Sequence, residues 1–203
     1  MKKGTILSIT FFVILSIPAC TPRSEYNRAL VRELGSGKRS DSLFLGLYLG
    51  MPEKDFYVHC WKLNKKGLVR QGESNTTVLY EVKNALKHPA LCDFYPHFNQ
   101  GKIFEMPVRY HYKGWVPWNK ELSSEKLQDD VLNWYRKTYG RDFIKIRHPK
   151  RGDAWVKLDD NRRITIFMED ELHVWAVFTD MSVKTNWSGI NADTTQNMNF
   201  TKK

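Results

Sequence analysis

Residues 162–180 read RRITIFMEDELHVWAVFTD, and this stretch carries the clearest indication of the fold. Two runs rich in β-branched and aromatic residues, 162–168 and 172–179, flank an acidic triplet at 169–171. Such runs favour strands, and a short polar stretch between them is typical of a hairpin turn. The segment therefore predicts two antiparallel strands joined by a tight connection.

Two helices are predicted upstream of this hairpin. The first covers 52–66, because a proline suits its first position and acidic and then basic residues complement the helix dipole at its two ends. The second begins at Ser123 or Ser124, which suit an N-cap, and ends at Gly140. Its apolar residues recur at helical spacing, so it should pack one face on a core.

The other strands are predicted from short apolar or alternating runs, at 43–49, 68–71, 76–83, 102–113 (interrupted at Pro107), 143–147 and 154–158. Two helices cannot cover both faces of a wide sheet. We therefore expect an α+β fold, an antiparallel sheet with two helices on one face. The order of elements also allows a helix-plus-meander unit repeated twice, although no residue-level repeat supports it.

The N-terminus has the composition of a signal peptide over residues 1–19. Lys2 and Lys3 precede an apolar run at 6–17. That run is within the range of a secretory signal and shorter than the roughly 18 residues that a membrane-spanning helix requires. The segment is therefore expected to direct export and then to be removed.

The sequence IPAC at 17–20 resembles the lipobox of bacterial lipoproteins, in which a branched apolar residue, a variable residue and a small residue precede a cysteine. The resemblance implies cleavage after Ala19 and lipidation of Cys20 by acyl chains, which hold a protein on a membrane. Thr21 stands where an aspartate would signal inner-membrane retention, so the outer membrane is the implied location. An ordinary secretory peptide and an uncleaved anchor are the alternatives.

Composition then divides the rest of the chain. Residues 20–40 are predicted to be the lipidated cysteine and a flexible tether, 41–181 a single domain, and 182–203 a polar disordered tail.

Removal of residues 1–19 takes away two lysines and no acid, which lowers the formal net charge from +10 to +8. A basic envelope domain suits anionic lipid, acidic polysaccharide or an acidic protein, whereas nucleic acid is not expected there. A solvated basic face without a partner is the alternative.

A second resemblance lies at 49–51, where Leu-Gly-Met closes the predicted strand 43–49 before the first helix. This arrangement is similar to small outer-membrane lipoproteins of the small-protein-A type and to related β-lactamase-inhibitor-protein-like folds. The resemblance implies a domain that binds other proteins and has no catalytic residues.

Cys60 and Cys92 remain once Cys20 is lipidated, and they are candidates for a disulfide in an oxidising compartment. The bond would contribute roughly 3–4 kcal/mol by the chain-entropy model. Two free buried thiols are the alternative. The histidines near these cysteines have spacings that match no metal site, so no metal or other cofactor is expected.

Aromatic residues are dense between 94 and 118 and alternate with prolines and basic residues. Tyr95, Trp115 and Trp118 adjoin proline or glycine, and we take them as the candidate partner-binding residues. The phenylalanines of this stretch are expected in the core, at positions 94, 98 and 104.

Catalytic motifs are not evident. Serine–glycine pairs fall in the predicted tether and tail, and the carboxylate pairs at 159–160 and 169–171 suit turns. No glycine-rich phosphate loop is present. The expected function is a non-catalytic protein-binding or assembly module on an envelope lipoprotein, with a carbohydrate-binding or glycan-associated surface lipoprotein as the alternative. An enzyme without recognisable motifs is a third class.

Overall fold

The computed structural model describes residues 22–72, 76–148 and 152–185. Over these residues the chain forms three α-helices and one sheet of nine strands. The helices are α1 (Pro22–Gly35), α2 (Glu53–Lys65) and α3 (Ser124–Tyr139). The strands are β1 (Val69–Gln71), β2 (Val78–Val82), β3 (Ala90–Phe94), β4 (His97–Asn99), β5 (Lys102–Tyr112), β6 (Ile144–His148), β7 (Gly152–Asp159), β8 (Arg162–Met168) and β9 (Val174–Asp180).

The sheet is antiparallel throughout, in the order β1-β2-β3-β5-β9-β8-β7-β6, with β4 paired to the start of β5. This confirms the predicted α+β class. A meander follows each of α2 and α3, and the last strands of the two meanders, β5 and β9, pair with each other in the middle of the sheet. The arrangement agrees with a repeated helix-plus-meander unit.

Helices α2 and α3 pack on the same face of the sheet, as predicted. Phe56 of α2 and Leu127, Val131 and Tyr135 of α3 belong to one buried cluster with Phe178 of β9. The apolar residues of α3 recur every three or four positions, so one side of the helix meets the strands continuously. This cluster is the main hydrophobic core.

Strand β5 runs through Pro107, so the predicted interruption there is wrong. Pro107 lies opposite Val177 of β9. On the other side of β5, pairing with β3 ends at Val108 and pairing with β4 begins at Glu105. No residue of these two strands faces Pro107, so a residue without an N–H group is accommodated in the middle of the sheet.

The predicted strand 43–49 is also wrong. Leu45 and Gly46 both have positive φ angles, 52° and 78°, and the N–H of Leu47 donates to the carbonyl of Phe44 at 2.9 Å. These are the features of a type I′ turn, which folds the segment into a minimal hairpin instead of an extended strand. The strand on which the resemblance to small-protein-A lipoproteins depended is therefore not formed.

The flexible tether predicted at 20–40 is wrong over α1. Ala29 is 7% exposed and packs with Ile146 and Val156 on the face opposite to α2 and α3. The carboxylate of Glu33 accepts a hydrogen bond from the backbone N–H of Asp160 at 3.1 Å. The folded domain therefore begins at α1 rather than at residue 41.

The predicted tail at 182–203 is described only in its first four residues. Ser182 donates from its backbone N–H and its hydroxyl to Asp180, at 3.0 and 2.6 Å, so the start of this segment is held to the sheet. Residues 186–203, the apolar run at 6–17 and Cys20 lie outside the described residues. Among the helices of the described residues, none has both the length and the apolar character needed to cross a bilayer.

Candidate functional site

Trp118 is the most exposed large aromatic side chain of the described residues, with 81% of its surface in contact with solvent. It lies in the connection between β5 and α3, one residue before Asn119. The Asn119 side chain accepts a hydrogen bond from the N–H of Glu121 at 3.2 Å and caps a 3₁₀ turn at Lys120–Leu122. The tryptophan is therefore presented from a defined turn.

The base of this connection is tied to its neighbours at several points. The N–H of Lys113 donates to the carbonyl of Pro89 at 2.9 Å, and the Lys113 ammonium pairs with Glu81 at 3.0 Å. Lys87 pairs with Glu121 at 3.2 Å, which joins the far side of the connection to the loop after β2. Because the backbone that carries the indole is held in this way, little backbone entropy is lost when a partner covers the indole.

Trp115 and Tyr95, the other two predicted partner-binding residues, are only partly exposed. The hydroxyl of Tyr95 lies 2.6 Å from the hydroxyl of Tyr57 on α2, and its ring packs edge-on against Phe56 and Phe98. The hydrogen bond with Tyr95 and then burial raise the pKa of Tyr57, which keeps the Tyr57 phenol protonated. Tyr95 therefore links α2 to the sheet.

The structure separates Tyr95 from the two tryptophans. Strand β3 begins opposite Tyr112, shortly before Trp115 in the chain, and ends opposite Val108. Tyr95 follows the far end of that strand, so the length of β3, about 13 Å, lies between them. The three residues are at opposite ends of the sheet and do not form one continuous surface.

The phenylalanines of the same stretch are largely internal, as predicted. Phe94 and Phe104 are buried, and Phe98 is partly buried against the main core. The aromatic density of 94–118 therefore reflects core packing at one end and an exposed tryptophan at the other.

The outer face of α2 was not anticipated from the sequence. Trp61 is 58% exposed, Tyr57 and Val58 are about half exposed, and the Lys65 ammonium lies 3.8 Å from the centre of the Trp61 ring. Helical periodicity could have revealed this face, since residues three or four positions apart lie on the same side of a helix. Tyr57, Val58 and Trp61 form an apolar stripe that no described element covers.

The candidate disulfide is not formed, since Cys60 and Cys92 are both free thiols. Cys92 is buried in the middle of β3 and Cys60 lies on the inner side of α2, where both pack in the main core. Burial raises the pKa of the Cys60 thiol to about 11 and raises that of Cys92 further. Protonated thiols of this kind are weak nucleophiles.

The β8–β9 hairpin turn brings together Glu169, Asp170 and His173, whose possible ligand atoms lie within 4.8 Å of one another. Arg109 already occupies this cluster, with Nε 2.6 Å from Glu169 and Nη2 3.1 Å from His173 Nδ1. Asp170 accepts hydrogen bonds from the backbone N–H groups of Leu172 and His173. The positive charge of the Arg109 guanidinium would repel a metal cation at this position. The acidic residues form the hairpin turn, as predicted.

A cleft of about 430 Å³ lies between α1 and the ends of β6 and β7. Its lining carries both signs of charge, and Lys157 pairs with Asp159 at 2.8 Å. The hydrogen bond from the backbone of Asp160 lowers the pKa of Glu33, so this carboxylate is ionised at neutral pH. Within the described chain this lining contains no histidine, cysteine or serine.

Comparison of the chain with protein-family models, with curated proteins and with solved structures found no match in any of the three. Function is therefore inferred from the residues of the chain itself.

Proposed function

We propose that the chain is a bacterial envelope lipoprotein, anchored through Cys20 on the outer membrane, whose α+β domain is a non-catalytic protein-binding or assembly module. The observation that carries the binding role is Trp118, an 81% exposed indole held on a fixed turn. The anchor is supported by the basic start, the apolar run and the IPAC sequence at 17–20.

The docked position of α1 determines how far the domain stands from its anchor. Thr21 is the single residue between Cys20 and the start of α1 at Pro22. One residue reaches about 4 Å, whereas a flexible tether of 20 residues would average about 25 Å. A lipidated Cys20 would therefore hold the domain close to the membrane surface.

Fractionation and mass spectrometry test the anchor. The native protein should begin at Cys20 and carry acyl chains, and a high-salt wash should release Cys20→Ala from the membrane fraction but not the parent chain. An unmodified polypeptide that begins at Met1 would overturn the anchor.

Interface hot spots are most often tryptophan, tyrosine or arginine side chains that a partner desolvates completely. Trp118 meets the requirements of such a residue because its ring is exposed while its backbone is fixed. Lys120 and Glu121 beside it supply charges of both signs, which suits the polar rim of a protein interface. These features favour a protein partner for this end of the domain.

Photo-crosslinking in cells tests the partner surface. A crosslinker at the exposed Lys120 should capture an envelope protein, and Trp118→Ala should reduce the captured yield, since loss of a hot-spot side chain costs 2 kcal/mol or more, about 30-fold in affinity. Tyr48→Ala is the control, because it removes another exposed aromatic side chain, from the turn at 42–48, to which no binding role is assigned. Absence of a captured protein, or an equal loss in both variants, would count against the proposal.

A glycan is the second candidate because an exposed indole also stacks on sugar rings. In that case, titration with envelope polysaccharide should change the tryptophan fluorescence of the parent chain, and Trp118→Ala should abolish the change. Unchanged fluorescence would exclude this alternative at Trp118.

A further inference from the structure

We propose that the outer face of α2 lies on the surface of an anionic phospholipid bilayer. The face consists of three apolar and three basic side chains that point away from the core: Lys54, Tyr57, Val58, Trp61, Lys62 and Lys65. This assignment is independent of lipidation at Cys20, since it depends on the helix alone.

Helical geometry places these six residues together. At about 100° per residue they fall within an arc of about 140°, and no acidic residue lies inside that arc. The two acids of the helix, Glu53 and Asp55, are both in its first turn. Glu53 lies at the border of the face, where its carboxylate accepts a hydrogen bond from the Tyr57 hydroxyl at 3.2 Å, and the six residues of the face itself are basic or apolar.

The inner side of α2 is already used by the fold. Phe56 and Leu63 are buried, and the imidazole Nε2 of His59 lies 2.7 Å from the carbonyl oxygen of Leu45. The helix is consequently fixed on the sheet with its orientation determined, and the outer face cannot turn inward. Exposure of Trp61 and Val58 is a stable property of the fold.

The lysines of this face are available to an external anion. Lysine ion pairs in the described part of the chain lie elsewhere, at Lys87, Lys113, Lys145 and Lys157. The Lys65 ammonium sits over the Trp61 ring at 3.8 Å, a cation–π contact that leaves its hydrogen-bond donors free to meet phosphate. The charge of the face is therefore not neutralised within this part of the protein.

A bilayer interface fits this combination better than a protein or a sugar does. A helix surface is convex and offers no pocket for a partner's anchor residue, but tryptophan and tyrosine settle readily among lipid headgroups. Lysine side chains at the border of such a face extend toward phosphates while their methylene groups cover apolar surface. Each basic residue near an anionic membrane contributes about fivefold to binding.

Amine labelling of the full chain on vesicles tests this assignment. The protein is reconstituted in phosphatidylcholine vesicles with or without about 30% phosphatidylglycerol, which gives a negative surface potential. Labelling of Lys54, Lys62 and Lys65 should slow at least about fivefold on the anionic vesicles, and about 1 M salt should reverse the effect because the Debye length falls to about 3 Å. Lys38, an exposed residue just after α1 on the opposite face of the sheet, should label equally on both.

A double variant separates charge from local structure. Lys62→Gln with Lys65→Gln retains helix-forming residues and should weaken docking about 25-fold, read as restored labelling of Lys54. Lys38→Gln with Lys145→Gln removes the same charge far from α2, which contacts β1 at the other edge of the sheet, and should leave Lys54 protected.

Equal labelling of Lys62 on the two kinds of vesicle, or protection that persists in phosphatidylcholine and in high salt, would overturn the assignment. Mass spectrometry of Cys20 reads the lipid anchor separately. A missing anchor and a missing contact of α2 are therefore distinguished in the same preparation.

Discussion

Substitution of Ala29 by glutamate tests whether α1 is part of the folded domain. Ala29 is 7% exposed and packs among Ile146, Val156 and Leu158. A glutamate there would bring an unpaired carboxylate and extra volume into an apolar contact. Ala29→Glu is therefore expected to detach α1 and leave the sheet folded.

The size of the effect follows from what α1 buries. The buried Ala29 and the partly buried Tyr26 and Leu30 contribute roughly 2–3 kcal/mol at about 25 cal/mol per Å² of apolar surface. Two hydrogen bonds with Asp160 help to hold the end of the helix. The Asp160 N–H donates to the Glu33 carboxylate, and the Ser36 hydroxyl donates to the Asp160 carboxylate. Loss of 2–3 kcal/mol corresponds to opening that is about 30- to 140-fold more frequent.

Amide hydrogen exchange over Pro22–Gly35 measures this opening directly. Exchange should accelerate by that factor in Ala29→Glu and should not accelerate in Val31→Glu, which places the same side chain at a 74% exposed position of the same helix. Equal exchange in the parent chain and Ala29→Glu would show that α1 does not dock. Equal acceleration in both variants would show that the effect comes from charge in the helix and not from the contact.

Three further outcomes are expected. Phe178→Ala should destabilise the domain by about 3–5 kcal/mol in urea unfolding, because it removes a fully buried ring from the main core. A decrease of less than 1 kcal/mol in the free energy of unfolding would contradict the burial of Phe178 in the main core. The lipidated chain should show two reactive thiols, Cys60 and Cys92, only after unfolding, and fewer than two would indicate a disulfide. The pKa of Asp180 is lowered: burial acts to raise it, but hydrogen bonds, foremost those from Ser182, outweigh burial. Its carboxylate therefore stabilises the fold above its ordinary pKa of 3.8, and this contribution is lost as the pH falls through the lowered value. Asp180→Asn should therefore flatten the acid limb of the stability profile, measured by urea unfolding at a series of pH values.

Local patterns predicted most elements within a few residues. Helix α3 and the β8–β9 hairpin follow from periodicity and from turn residues, and both agree with the structure. Strands β3 and β4 were missed because they are short and lie on either side of Pro96, which the sequence presents as a loop. Pairing with β5 stabilises them, and no local signal reports that pairing.

Where long-range contacts compete with local tendency, the sequence pattern failed. The leucines at 43–49 alternate as in a strand, but a turn at Leu45 and Gly46 is held in place by the contact of His59 with the carbonyl of Leu45. Residues 22–35 are polar enough to suggest a tether, yet a narrow apolar side of α1 meets the second face of the sheet. Neither partner is near in the chain.

The amino-acid order alone was sufficient for the α+β class and for the positions of α2 and α3, since each depends on periodicity. The processing at Cys20 stays a prediction from a short contiguous motif. The separation of Tyr95 from Trp118, the docking of α1 and the exposure of Trp61 depend on which strands become neighbours. That choice is made by the burial of apolar surface between segments far apart in the chain. It is therefore visible only once the chain is folded.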